Sequence, residues 1–286
     1  MLKLGFIGYG FVGRSQHLVF EHNCNAFIVD PQKNSNTIEQ MCWSFVPKII
    51  FVSLPAPTLE DGSVDISLIR NTLQELVRQQ YEGIVVLKST VPPEKIHELY
   101  VEFANDPILN KKGPLRFVYS PEFLREKHYK EDALNPEFIL LAGNWQDCQR
   151  IKETYINHSH IKGRLDFRMV DYRTASLIKY TINSYLAMKV TFMNQVYQLM
   201  GDVYGVTGPH DWSEFVDILS LDSRIGVGHM HVPGPDGQYG YGGSCLPKDV
   251  KAFIGSDHNE RLTVLREVEQ VNTKIRLTGN LQDKAD

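Results

Sequence analysis

Cys245 follows Gly240, Gly242 and Gly243 and precedes Pro247, Lys248 and Asp249 in the stretch GYGGSCLPKD. In isolation a cysteine is more often a small core side chain than a nucleophile. Its neighbours here favour reactivity. The glycines let the backbone come close to a ligand, and Pro247 suits the first turn of a helix running through KDVKAFIG. A helix N-terminus beside Lys248 favours the thiolate, the form that attacks an electrophilic carbon. Cys24, Cys42 and Cys148 are scattered, form no CxxC pair or disulfide framework, and are expected to be reduced.

Gly8, Gly10 and Gly13 form a GxGxxG pattern that follows a strand-like run, opens a helix and is followed by Asp30 at the end of a second apolar run, AFIVD. That context is what a dinucleotide fingerprint requires. Gly8 serves the tight turn, Gly10 the approach of a pyrophosphate, and Gly13 the close packing of the helix, with the phosphates at the helix N-terminus. Tyr9, Phe11 and Val12 belong to the same turn and count with it as candidate cofactor contacts. Asp30 can accept from a ribose diol and would repel a 2′-phosphate, so NAD is expected in preference to NADP. His229 and His231 in HMH have no third ligand at a suitable spacing, and no metal is expected.

These residues need a scaffold, and the chain supplies one. LKLGFI, AFIVD, PKIIFVSLP and GIVVLKSTVPP are apolar runs, with the helical pattern DISLIRNTLQELVRQQ between the last two, and LRFVYSP and FILLAG read as further strands. Strands apolar throughout and separated by helices predict an α/β fold whose sheet is parallel and doubly wound, covered on both faces. From Tyr172 the pattern changes to a long helical stretch, then WSEFVDILSL, a Gly/Pro-rich loop and a last amphipathic helix from Arg261 to about Leu277. The expected division is residues 1–171 and 172–286, with the tail TGNLQDKAD fraying. With 286 residues, 42% hydrophobic and 22% charged, the chain has the composition of a soluble globular protein. A net charge of −4 gives no reason to expect nucleic acid, and no run reaches a membrane span of about 20 apolar residues. A cytoplasmic location is the default expectation.

Together GFIGYGFVG, LPAPTLEDGSVDIS, KSTVPP, SPEFLREKHYKEDALNPEFILLAG, LIKYTINSYLAMKVTFMN and GYGGSCLPKD resemble the UDP-glucose 6-dehydrogenases, within the wider group of nucleotide-sugar dehydrogenases, from Met1 to about Arg276. The resemblance implies a Rossmann-like NAD-binding domain followed by a helical domain of the 6-phosphogluconate dehydrogenase type. It implies a twofold, NAD-dependent oxidation of a sugar C6 alcohol to the carboxylate, as in UDP-glucose to UDP-glucuronate, through a cysteine thiohemiacetal and thioester. In that scheme Lys179 and Asn183 match groups that stabilise oxyanions, and on a helix they share a face. Asp249 matches an aspartate that holds the catalytic water with the lysine, and Glu122 an acid of thioester hydrolysis. Thr90 and Glu126 would lie near the cofactor, Thr90 also near the water. Phe123, Leu124, Arg125, Tyr239 and Gly242 are implied substrate contacts, as is Arg224, which in the family often reaches across a dimer interface. Partners implied are a UDP-sugar and a second copy of the chain, with no nucleic acid and no membrane.

Several positions depart from the family pattern. Ala56 stands where a threonine is usual, with Thr58 the nearest hydroxyl to substitute for it. Lys127 replaces a glycine, Phe138 stands where arginine is common, and HVPGPDGQ lengthens the loop before Cys245. Family members continue into a second Rossmann-like domain, so the expectation is a short form lacking it. Two alternatives stay open: a dehydrogenase acting on GDP-mannose or UDP-N-acetylmannosamine, and a non-catalytic protein that binds NAD or a sugar nucleotide.

Overall fold

The computed structural model describes residues 1–104, 113–205 and 209–282. The chain divides into two compact units, Met1–Pro57 with Val64–Lys179, and Thr58–Ser63 with Tyr180–Asp286. The division expected after Asp171 falls at the head of the helix Tyr172–Tyr204, whereas the units part inside that helix.

In the first unit the apolar runs become a seven-stranded sheet of order β2-β1-β3-β4-β5-β6-β7. The strands are β1 (Leu2–Ile7), β2 (Cys24–Val29), β3 (Ile49–Val52), β4 (Ile84–Leu87), β5 (Arg116–Tyr119), β6 (Ile139–Gly143) and β7 (Phe167–Val170). Every residue of β3 and β4 is buried, as expected for a sheet covered on both faces. Register aligns Phe6, Phe51, Val86 and Val118 across four strands, and Phe20 and Tyr155 from flanking helices close over that row. Because β1 lies between β2 and β3, the chain leaves it in opposite directions on its two sides. In sheets of this kind ligands bind at the carboxyl ends of the strands that flank such a reversal, here β1 and β3.

Two features differ from the sequence expectation. The sheet is not wholly parallel, because β5 pairs antiparallel with β6. Apolar runs mark strands without encoding their direction. The helix Trp145–His158 and the parallel edge strand β7 complete the sheet, and β7 carried no strong signal because FRMV is only half buried.

Described by itself, the second unit is helical. Trp212, Met193, Met230 and Val232 form one cluster, and Ala187, Tyr241, Val250 and Leu265 another. The segment Thr58–Ser63 belongs here: the Thr58 hydroxyl donates to the Lys248 carbonyl at 3.1 Å. Gly62, at φ +84°, packs backbone to backbone against Gly255, so closely that a Cβ on Gly255 would overlap it. The last helix runs Thr263–Gln282, starting later and ending later than expected, so most of the predicted tail is helical; residues 283–286 lie outside the described residues. Among the described residues no helix is long and apolar enough to cross a membrane.

Candidate functional site

At the carboxyl end of β1, Gly8 adopts φ +82°, and a side chain there would collide with the Ser53 carbonyl. Gly13 lies so close to the Gly8 carbonyl that a Cβ would not fit. Around Gly10, by contrast, nothing lies within 4 Å of where a Cβ would be, which leaves its backbone open to a ligand. Gly10 is also the N-cap of the helix Phe11–Phe20, whose first amides are unsatisfied donors. Phe11 and Val12, half-buried, form its first turn. Beneath it, the buried Ser53 Oγ has no hydrogen-bond partner in the structure, and Cβ of Ser53 lies 3.8 Å from the Cβ position of Gly13. An open glycine backbone and an orphaned hydroxyl at the helix start both fit a pyrophosphate.

Asp30 accepts from the Tyr9 amide at 2.6 Å and from the Gln32 amide at 2.8 Å, one bond per oxygen, which leaves each oxygen acceptor capacity for a ribose diol. The Tyr9 hydroxyl pairs with His17 Nδ1; burial raises the Tyr9 pKa and lowers that of His17, so both stay neutral near pH 7.

Past β5, Glu122 takes hydrogen bonds on Oε1 from Lys88 Nζ at 2.7 Å and Gln16 Nε2 at 2.5 Å. Lys88 and Gln16 were missed in the sequence; the visible signal was a lysine closing the apolar run IVVLK. Thr90 is half-buried two positions beyond Lys88. Glu122 and Glu126 do not share a helix: Glu122 lies in a loop, and Glu126 opens a short 3-10 turn, Glu126–His128, that also holds the exposed Lys127. Leu124 packs against the core. Arg125 is exposed and bound to Asp132 at 2.6 Å.

The helix Tyr172–Tyr204 is anchored on the first unit by Ser176 Oγ to the Val91 carbonyl (2.6 Å) and Tyr172 hydroxyl to the Phe117 carbonyl (2.7 Å). One turn on, Lys179 is 6% exposed, and its ammonium sits 5.0 Å from the centroid of the Phe123 ring. Phe138 packs on the same ring at 4.8 Å, so the residue that departs from the family arginine supports Phe123.

In the second unit Cys245 is half-buried and is the N-cap of the helix Leu246–Gly255, with Pro247 in its first turn. Sγ lies 3.6 Å from Ser244 Oγ. Lys248 does not turn to the thiol; its ammonium pairs with Asp249 Oδ1. The helix N-terminus is therefore the favourable field beside Cys245. Asp249 is 1% exposed, and its Oδ2 accepts from Asn183 Nδ2 at 2.5 Å. The expected water-holding aspartate is thus held by Asn183 and Lys248. Thr58, the hydroxyl nearest in sequence to Ala56, donates to the Lys248 carbonyl.

Two asparagines that sequence reasoning missed pin the glycine loop. Asn194 Oδ1 accepts from the Gly240 amide at 2.9 Å, while Asn272 takes the Tyr241 amide at 2.7 Å and donates to its carbonyl at 3.1 Å. At Gly242 the Arg276 guanidinium occupies the space that a Cβ would take, so a side chain there would have to displace it. Tyr239 is half-buried against the Trp212 cluster. Arg224 projects from a loop, exposed, with its guanidinium on Asp222. Among the described residues no three His, Cys, Asp or Glu side chains group to hold a metal.

Comparison with known proteins places the two units in one family. Residues 33–158 match the NAD binding domain, and residues 173–274 the central domain, of the UDP-glucose/GDP-mannose dehydrogenase family. UDP-glucose 6-dehydrogenase of Rickettsia typhi is 31% identical across 99% of this chain and 69% of its own length. The enzyme of the same name from Rickettsia felis is 30% identical across 82% of this chain, yet only 49% of its own length is matched, so the chain spans about half to two thirds of these relatives. A UDP-glucose dehydrogenase structure from the hyperthermophilic archaeon Pyrobaculum islandicum shares the fold, with TM-score 0.77 at 23% identity, over 96% of this chain and 68% of that one. Fold, both family domains and a relative matched over most of its length converge: the chain is a member of the UDP-glucose/GDP-mannose dehydrogenase family.

Proposed function

We propose that the chain carries out the NAD-dependent twofold oxidation of a nucleotide-sugar C6 alcohol to the carboxylate, with UDP-glucose as substrate and UDP-glucuronate as product. The observation that carries this reading is Cys245 at a helix N-terminus with a buried Asp249, bridged to Asn183, one turn further along the same helix. A dehydrogenase that stopped at the aldehyde would need no nucleophile there.

NAD, when bound, supplies the hydride acceptor for both oxidations. Gly8 and Gly10 at the helix start would hold its pyrophosphate, with Gly13 allowing the close packing of that turn, Asp30 would hold its adenosine ribose, and Ser53 Oγ would be a donor beside the phosphates. The Cys245 thiolate adds to the aldehyde carbon left by the first oxidation, and the resulting thiohemiacetal becomes a thioester in the second. Lys179 and Asn183 stabilise the oxygen that gains charge at each addition. Asp249, held between Asn183 and Lys248, and Glu122 serve the water that releases the acid. Arg224 and Tyr239 are substrate contacts in this scheme.

NADH formation with a panel of UDP- and GDP-sugars tests the reading. Two NADH per uronate with UDP-glucose is the expected result. Turnover with GDP-mannose or UDP-N-acetylmannosamine instead moves the chain to a sister specificity. NAD binding without turnover on any sugar makes it a binding protein.

A further inference from the structure

Lys88 follows β4 directly and is 3% exposed. An ammonium so buried is costly unless an opposite charge and hydrogen bonds compensate it. Both are present: Glu122 Oε1 at 2.7 Å and Ser120 Oγ at 2.8 Å. Burial lowers the Lys88 pKa and the Glu122 carboxylate works against that shift. A second donor reaches the same carboxylate oxygen. Gln16 Nε2 lies 2.5 Å from Glu122 Oε1, and the amide is oriented from behind, because its own oxygen accepts the Tyr155 hydroxyl at 2.5 Å. Gln16 and Tyr155 are each 3% exposed. Two donors, Lys88 just after β4 and Gln16 on the helix Phe11–Phe20, thus converge on one oxygen of a carboxylate whose side chain is 17% exposed, and Tyr155 on the helix Trp145–His158 holds Gln16 from behind. Oε2 carries none of these bonds.

We propose that Lys88 and Gln16 are positioning residues that lock Glu122 through Oε1 and present Oε2 as the oxygen that takes a proton from the hydrolytic water. This rests on the dehydrogenase reading given above. In the step concerned, the water oxygen bonds to the thioester carbonyl carbon while its proton passes to Oε2. The carbon–sulfur bond then breaks, the Cys245 thiolate leaves, and the proton returns from Oε2 to sulfur, so that thioester and water become carboxylic acid and thiol. Neither hydride transfer uses Lys88.

The partition between phases is the test, since general loss of packing would not produce it. Parent and Lys88→Met chains are mixed rapidly with UDP-glucose and NAD, following NADH and the intact mass. The expected result for Lys88→Met is a first NADH phase like the parent's, a steady phase slower by roughly a hundredfold, and an acyl adduct accumulating on Cys245. Equal slowing of both phases, or no change, without an adduct overturns the proposal while the dehydrogenase reading stands. A parent that forms no NADH overturns that reading and the proposal with it. Should Lys88→Met fail to fold, Gln16→Met keeps the ion pair and removes one bond to Oε1; it is expected to build the same adduct, and turnover without one overturns the proposal.

Discussion

Burial pushes the thiols of Cys24, Cys42 and Cys148 up to about 11 each. At about pH 8 only about one molecule in a thousand carries the thiolate at such a site. Iodoacetamide is therefore expected to label Cys245 first, with bound UDP-glucose protecting it. First labelling at any of the other three, read by peptide mass, removes the nucleophile from the scheme. Cys245→Ser is expected to keep NAD affinity and lose steady turnover, and Lys179→Ala to lose about 3 kcal/mol of transition-state stabilisation. The double variant should be less impaired than the sum, because both residues serve one intermediate. At Asp30 the expectation is tight NAD and much weaker NADP in calorimetry; equal affinities would strip the carboxylate of its role. The glycine turn and the helix that starts at Cys245 were legible because each is written in a few neighbouring residues. Asn194 and Asn272 were not, since each acts on a loop distant in sequence, 46 residues from Gly240 and 31 from Tyr241 respectively.

The helix that carries Lys179 and Asn183 is fixed at its start by a carboxylate. Asp171 Oδ1 accepts from the Arg173 and Thr174 amides at 3.0 and 3.1 Å, and Oδ2 takes the Thr174 hydroxyl at 2.5 Å. Asp171→Ala is expected to lower stability by about 1 kcal/mol in urea denaturation. The Thr174 hydroxyl first, then its amide, holds the Asp171 carboxyl below the usual range. A depressed folded value places this charge-dependent stabilisation above the unfolded pKa of about 3.9 and removes it as pH falls through the lower folded value. The gap between parent and variant should accordingly narrow below about pH 4; a gap unchanged under acid would assign the cap to geometry alone. Apolar runs revealed six of the seven strands because buried strands are written in consecutive side chains. The direction of β6 depends instead on which end of the sheet the chain returns from, and no local pattern records that.

For the molecule as a whole, Tyr185, Phe192 and Leu199 are exposed by 54%, 61% and 51%, and their seven-residue spacing aligns them on one side of the helix Tyr172–Tyr204. Three large apolar side chains in one stripe suit burial against a second copy of the chain. Sedimentation at micromolar concentration is expected to show a dimer, and Phe192→Arg to shift it to monomer. A parent that sediments as a monomer would end both the dimer and the cross-subunit role of Arg224.

The backbone contact of Gly62 with Gly255 bears on how such a chain can be inherited in parts. Thr58–Ser63 is encoded within the gene for the first unit but folds into the second. A single recombination crossover in the long helix would transmit Tyr180 onward without its companion segment, leaving the Lys248 carbonyl without the Thr58 hydroxyl and Gly255 uncovered. Exchange of the second unit between relatives has to move both pieces together, or else preserve at positions 58 and 62 a hydroxyl and a glycine that the incoming half already fits.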